Sequence, residues 1–167
     1  MSIPLLRLAT SDDALDVFGL LTQVPAWQEK NQQRWLDDLQ EQEECGDGAR
    51  RGVWVLEVGG AVRGTAVVHR RSPETTGGRT WPVYLAYLII DREHRRHGYG
   101  ALLEEQVMRE LSRQDCSGAY LRVHEDDPGW EGALEFWARQ GWKQAASSRP
   151  RHILMTRSLS APHSEPS

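Results

Sequence analysis

Hydrophobic and polar positions along this chain switch between a strand-like and a helix-like period, and the switches mark out its elements. Ile3 to Leu8 reads as a short first strand. Thr10 stands where a helix cap belongs, with Asp12 and Asp13 in the first turn and Ala14, Leu15, Phe18 and Leu21 as the predicted apolar stripe. Pro25 ends that helix. A more polar helix is predicted over Glu29 to Glu44, with Trp35, Leu36 and Leu39 inward, before the linker Gly46-Asp47-Gly48. Val53 to Val58 and Val62 to His69 have strand character and meet at Gly59-Gly60, a hairpin signal. Arg71 to Thr80, with Pro73, Gly77 and Gly78, reads as a polar loop. Val83 to Ile90 is an apolar run rich in aromatic and β-branched residues, the pattern of a buried central strand. Then come a helix to about Arg113, a strand from Ala119 to His124, and a helix from about Trp130 to Arg139. Two short strands, Trp142 to Ala145 and His152 to Thr156, close the pattern. Residues 159–167, ending S-A-P-H-S-E-P-S, read as a disordered tail. There is no internal repeat.

Composition narrows the setting. A chain of 167 residues suits one sizeable core and is short for two domains, so residues 1–158 are read as one domain. Charged residues at 26% and hydrophobic ones at 39% are ordinary for a globular protein. A net charge of −4 gives no basic field that would favour nucleic acid or an anionic membrane surface. No apolar run has the length of a membrane-spanning helix, and the N-terminus lacks a signal-peptide core. Cys45 and Cys116 are too few and too isolated for a disulfide framework or zinc site. A cytoplasmic, reduced setting and a monomer or homodimer are expected, with no metal.

The chemistry concentrates where the central strand ends. Ile89 to Leu103 runs from strand through a polar turn into Arg95-Arg96-His97-Gly98-Tyr99-Gly100, and a helical pattern begins at once with Ala101-Leu102-Leu103. A helix start presents free backbone N–H groups at the positive end of its dipole. Glycines there let a diphosphate approach the backbone, and two arginines add charge. The bland alternative is a helix start with flexible glycines and a solvated basic turn. There is no G-x-x-x-x-G-K-[ST], and the third glycine of G-x-G-x-x-G is replaced by Leu103, so two familiar nucleotide loops are set aside.

On these residues the chain resembles the GNAT superfamily of acyl-CoA-dependent N-acetyltransferases. Arg95-x-x-Gly98-x-Gly100 fits the family's [RQ]-x-x-G-x-[GA] between its fourth strand and third helix. Downstream, Ala133-x-x-Phe136-Trp137-x-x-x-Gly141-Trp142 is similar to its A-x-x-F-Y-x-x-x-G-F. The resemblance is strongest from about Val53 to Trp142 and implies an α/β fold with a mixed, mostly antiparallel, splayed sheet. About six to seven strands and about four flanking helices are expected. It implies acetyl-CoA as cosubstrate, a primary amine as acceptor, and direct transfer by positioning, without an acyl-enzyme. The pyrophosphate would lie on the amides of Arg96 to Ala101. The pantetheine arm would pair with the main chain of Leu88, Ile89 and Ile90 like an added strand. A main-chain N–H there would stabilise the oxyanion. A general base must free the amine lone pair, and an acid protonates the departing thiolate.

Two positions depart from that pattern. The family's tyrosine, commonly the acid, is Trp137 here, and an indole N–H does not ionise usefully. The asparagine often found seven residues earlier, a pantetheine contact, is Trp130. Both tryptophans are either core packing or walls of the acyl-CoA channel. For the base, Tyr84 sits early on the central strand, where histone acetyltransferase members carry a glutamate; Ala86, Leu88 and Ile90 share its face. His124 and Glu125 end the next strand, and His124 has the more suitable ordinary pKa. Each also has a structural reading, as a packed aromatic or a solvated strand end. His69 and His94 read as surface residues. The acceptor pocket implied by the resemblance would draw on Trp27, Trp35 and Trp81 and on the acids Asp37, Asp38, Glu41, Glu43, Glu44 and Glu74, which suit a cation. The competing reading is one buried tryptophan per helix and a solvated acidic face. A non-catalytic acyl-CoA sensor of the same fold is the rival function.

Overall fold

The computed structural model describes residues 3–24, 29–46, 51–70, 73–147 and 149–159. They form two compact units, Met1–His69 with Ala86–Glu104, and Arg70–Leu85 with Glu105–Ser167.

In the first unit, β1 (Leu5–Leu8) pairs antiparallel with β2 (Arg51–Val58), which pairs antiparallel with β3 (Ala61–His69) through Gly59-Gly60. Both turn glycines have positive φ, as a two-residue hairpin turn requires. α1 (Ala14–Leu21) and α2 (Glu29–Cys45) pack on these strands. Val17, Leu20, Leu21, Trp35 and Leu39 bury their side chains against Val53, Val55, Val67 and Ile89. Trp35 meets Phe18 edge-on at 6.2 Å. Its full burial settles the sequence alternatives for this residue in favour of core packing. One member of the expected α1 stripe is corrected: Leu15 is 83% exposed and Val17 takes the inward place. Two residues apart, these positions lie roughly 200° around a helix, so only one can face the core.

Polar clamps fix the same unit. Asp38 is buried, accepts a hydrogen bond from Arg51 and pairs with the His69 ring at 2.9 Å. Arg51 and His69 are opposite residues at the end of the β2–β3 ladder, so Asp38 ties α2 to both strands at once. Arg51 also stands 2.9 Å from Glu41. Asp38 is therefore no part of a solvated acidic face, and His69 is a partnered, half-buried group rather than a surface one. At the start of α1, Asp13 accepts both Arg7 forks at 2.8 Å and the Thr10 N–H at 2.8 Å. The Arg7 bonds, with that from Thr10, hold the Asp13 carboxyl below its ordinary range despite burial. A lowered folded-state pKa stabilises above the ordinary carboxylate range, and the contribution disappears as pH falls through the folded value. Asp13→Asn is expected to cost about 1–2 kcal/mol at neutral pH and progressively less as acidification protonates the native carboxyl, read from urea curves at neutral and acid pH.

In the second unit, β6 (Val83–Ile90) begins with a short parallel ladder to β7 (Gly118–His124), Val83 with Ala119 and Tyr84 with Tyr120. β7 pairs antiparallel with β9 (His152–Ser158) over its whole length, and β8 (Lys143–Ala145) pairs with β9. The later residues of β6 belong to the first unit and neighbour β3, so in hydrogen-bond order the strands run β1-β2-β3-β6-β7-β9-β8, a seven-stranded mixed sheet. α3 (Tyr99–Arg113) and α4 (Trp130–Arg139) complete the described helices.

The expected loop over Arg71 to Thr80 is corrected. It contains a hairpin of β4 (Glu74–Thr76) and β5 (Arg79–Trp81), turning at Gly77-Gly78 with φ of 62° and 75°. Its mostly polar residues hid it from a hydrophobic pattern, although the threonines and the glycine pair favour it. Trp81 is buried, which makes it core packing too; a Cβ on Gly118 would come within 2.6 Å of its ring. The Arg79 guanidinium lies 4.0 Å above that ring and donates to Ser117 O at 2.6 Å. Leu159, assigned to the tail, donates its N–H to Ser117 O at 2.9 Å; residues 160–167, Pro25 and Trp27 lie outside the described residues. No described helix is long and apolar enough to cross a membrane.

Candidate cofactor and catalytic site

The turn after β6 is built around a buried carboxylate. Asp91 accepts from Gln23 Nε2 at 3.2 Å, from Arg63 at 3.0 Å and from the Glu93 N–H at 3.3 Å. Its own N–H donates to Arg63 O at 2.8 Å. Burial alone would push the Asp91 carboxyl up, but the bonds from Gln23, Glu93 and Arg63 outweigh it and hold the group below its ordinary range. Gln23 Oε1 also accepts the Arg92 N–H at 2.7 Å, so one side chain grips the start of the turn twice. His94, half-buried and 3.5 Å from Asp91, is not the free surface residue expected. Sequence reasoning missed Asp91 and Gln23; an aspartate directly after a strand, able to cap the turn two residues on, was the available signal.

Beyond this anchor the main chain opens outward. Arg95 Nε donates to Ile90 O at 3.2 Å, while Arg95, Arg96, His97 and Gly98 are exposed. Arg96 and Gly98 both have left-handed backbones, with φ of 69° and 77°. The Leu102 N–H makes a helical bond to Gly98 O at 3.0 Å. The amides of Tyr99, Gly100 and Ala101 therefore precede any acceptor within the helix. A Cβ on Gly98 would meet nothing within 4 Å, so the space over the turn is open. Helix-start amides, free volume and two exposed guanidiniums lie together at this turn, the chemistry that suits an anion. The structure thus joins Arg95 to Ala101 into one surface in the first unit. Leu88, Ile89 and Ile90 lead directly into it, on a strand whose one edge is held by β3.

The base candidates lie in the second unit. Tyr84 stacks on Tyr120 with ring centroids 5.0 Å apart. Arg122, ion-paired with Glu74, lies 5.9 Å from the Tyr120 ring. Burial first, and Tyr84 second, push the Tyr120 hydroxyl up. His124, the last residue of β7, is opposite His152, and their rings are 4.1 Å apart. Burial, then His124, Arg122 and Arg149, pull the His152 imidazole below its ordinary value. Tyr84 and His124 share the strand face of Tyr120 and Arg122 but are not adjacent: four residues from Tyr120 to His124 span roughly 13 Å. Glu125 is exposed and bound to the Arg151 carbonyl only through its N–H, at 2.9 Å.

The profile of the Acetyltransferase (GNAT) family matches residues 16–142, a span that takes in the turn, the base candidates on β6 and β7, and α4. The chain belongs to the GNAT acetyltransferase family. No curated protein matches the sequence itself. Among solved structures, an acetyltransferase from Thermus thermophilus superposes with a TM-score of 0.72 at 21% identity, over 95% of this chain and 100% of that one. The ribosomal-protein-S18-alanine N-acetyltransferase from Escherichia coli gives 0.69 at 15%, covering 99% of each. The PaiA N-acetyltransferase from Thermoplasma acidophilum, in complex with coenzyme A, gives 0.70 at 10%, over 93% and 99%. At these identities the likeness is one of fold.

Within this GNAT chain the two tryptophans that break the family pattern have different surroundings. Trp137 packs edge-on against Phe136 at 4.9 Å and Trp142 at 5.6 Å, and its carbonyl accepts the Trp142 N–H at 3.1 Å. These are packing contacts, and the ring stays half exposed. Trp130 opens α4 after Gly129, whose φ is 78°, and borders an open cavity of about 530 Å³ with Glu125, Asp126, Asp127 and Glu131. Of the acids expected around an acceptor, Asp37, Glu43 and Glu44 are exposed on α2, and Glu74 is committed to Arg122.

Proposed function

We propose that this protein is an acetyl-CoA-dependent N-acetyltransferase that acylates a primary amine by direct transfer in a cytoplasmic setting. The observation that carries the reading is the turn from Arg95 to Ala101, where amides, open volume and cationic side chains converge. Acetyl-CoA supplies an activated thioester. The chain's part is to hold the diphosphate on the Arg96 to Ala101 amides, with Arg95 and Arg96 balancing charge, and to offer Leu88, Ile89 and Ile90 main chain to the pantetheine amides. A base takes a proton from the acceptor ammonium, with Tyr84 and His124 as candidates. An imidazole ordinarily titrates nearer neutral pH than a phenol, which favours His124.

A panel of small amines, amino-acid amides and peptides tests the reading. Amine-dependent release of free CoA thiol is expected for at least one class, and none from any of them would contradict it. Trp137 favours the sensor reading, because its indole N–H does not ionise usefully and cannot serve as the thiolate's acid. If the missing acid limits the rate, Trp137→Tyr is expected to raise kcat about tenfold without changing the affinity for CoA. An unchanged or lower kcat would assign the indole to packing against Phe136 and Trp142.

A further inference from the structure

At the open end of the β7–β9 ladder, His124 and His152 occupy opposite places in an antiparallel register, so their side chains leave the same face of the sheet. Their rings meet edge-on with centroids 4.1 Å apart, and both are half-buried. The charged groups around them are few. Arg122, from β7, is ion-paired with Glu74 of β4. Arg149 comes from the turn before β9 and opposes protonation of His152, as Arg122 does. Asp126, from the turn after β7, favours protonation but is itself 2.9 Å from Arg151. Glu125 points outward beside it. His152 Nδ1 is buried with no hydrogen-bond partner among the described residues, so a proton placed there has nothing to bond. Two imidazolium ions at this separation would repel, which disfavours charging both rings at once and leaves the neutral pair able to accept one proton. That is what a base working near neutral pH needs.

We propose that His124 and His152 act as one base, with His124 facing the acceptor amine and His152 positioning it and sharing its proton. The proposal rests on the acetyltransferase reading. The acceptor ammonium gives one proton to the pair, and the lone pair this frees forms the C–N bond to the acetyl carbon. The C–S bond breaks with its electrons on sulfur. A second proton from the nitrogen reaches the thiolate through water, and the proton on the pair passes to solvent. One proton is released per acetyl group transferred.

Histidine-selective NMR titrations and kcat/KM profiles against pH, on the wild type, His124→Asn, His152→Asn and the double variant, test this. In His124→Asn, His152 is expected to keep its proton to a higher pH, because the neighbouring imidazole no longer opposes it. Each single variant is expected to lose about a hundredfold in kcat/KM, and the double variant little more, as groups acting as a unit do. The acid limb of the profile is expected to move in His152→Asn, which a merely structural residue would not cause. An unshifted His152 titration, losses that multiply in the double variant, or an unmoved acid limb would each overturn the paired base while leaving acetyl transfer intact. A wild type that shows the coupled titration and binds CoA, yet acetylates no amine, would overturn the transfer reading and the base role with it.

Discussion

Gly98→Asp is expected to abolish CoA and acetyl-CoA binding while leaving the fold in place. The position has a φ of 77°, so any side chain there carries backbone strain of about 1 kcal/mol, a cost that alanine and aspartate share. A Cβ would otherwise meet nothing within 4 Å, so neither substitution clashes inside the protein itself. The difference between them arises only when a diphosphate arrives. Alanine narrows the space over the amides of Tyr99, Gly100 and Ala101. Aspartate adds a negative charge a few ångströms from two others and competes for the same N–H groups. Calorimetric titration should therefore show affinity falling about tenfold for Gly98→Ala and by more than about a hundredfold for Gly98→Asp. Equal affinities in all three proteins would move the diphosphate elsewhere.

The second large effect is on stability. Asp38→Ala is expected to cost about 3 kcal/mol, the lower end of what breaking a buried ion pair costs. The carboxylate is 2% exposed and holds Arg51 and His69 across the end of the β2–β3 ladder. Its removal takes the shared carboxylate from both partners, although Arg51 keeps Glu41 and each retains some contact with water. Asp37→Ala next to it is the control. That side chain is exposed and accepts from Gln33, one turn away at 2.9 Å, so its loss should stay within about 0.5 kcal/mol. Urea unfolding of the two variants separates these expectations, and similar midpoints would deny the clamp.

What the sequence discloses and what it hides divide along one line. The Arg95 to Gly100 cradle, the β6 strand, α3 and α4 are each encoded in a contiguous run, where composition and period act on neighbouring residues. Their bounds follow the pattern closely. The clamps are different in kind. Gln23 and Asp91 stand 68 positions apart, Asp38 and His69 31 apart, and His124 meets His152 only because β7 and β9 pair in one register. No local spacing announces such a contact. That is why His69 looked like a surface residue and Asp38 like part of a solvated face. The β4–β5 hairpin escaped for another reason, since its stability comes from turn geometry and threonine backbones rather than a hydrophobic period. Trp35 and Trp81 show the reverse hazard, because aromatics that could have lined a substrate pocket are core.

Isothermal titration of the purified protein with acetyl-CoA, CoA and ATP in parallel tests the cradle most directly. Micromolar binding of both CoA species, with none of ATP, is the expected result, since the proposed diphosphate turn lacks the lysine and hydroxyl that a nucleotide's terminal phosphates require. Absence of binding by either CoA species would contradict the account at its centre, and the amides before α3 would then be no more than the start of a helix.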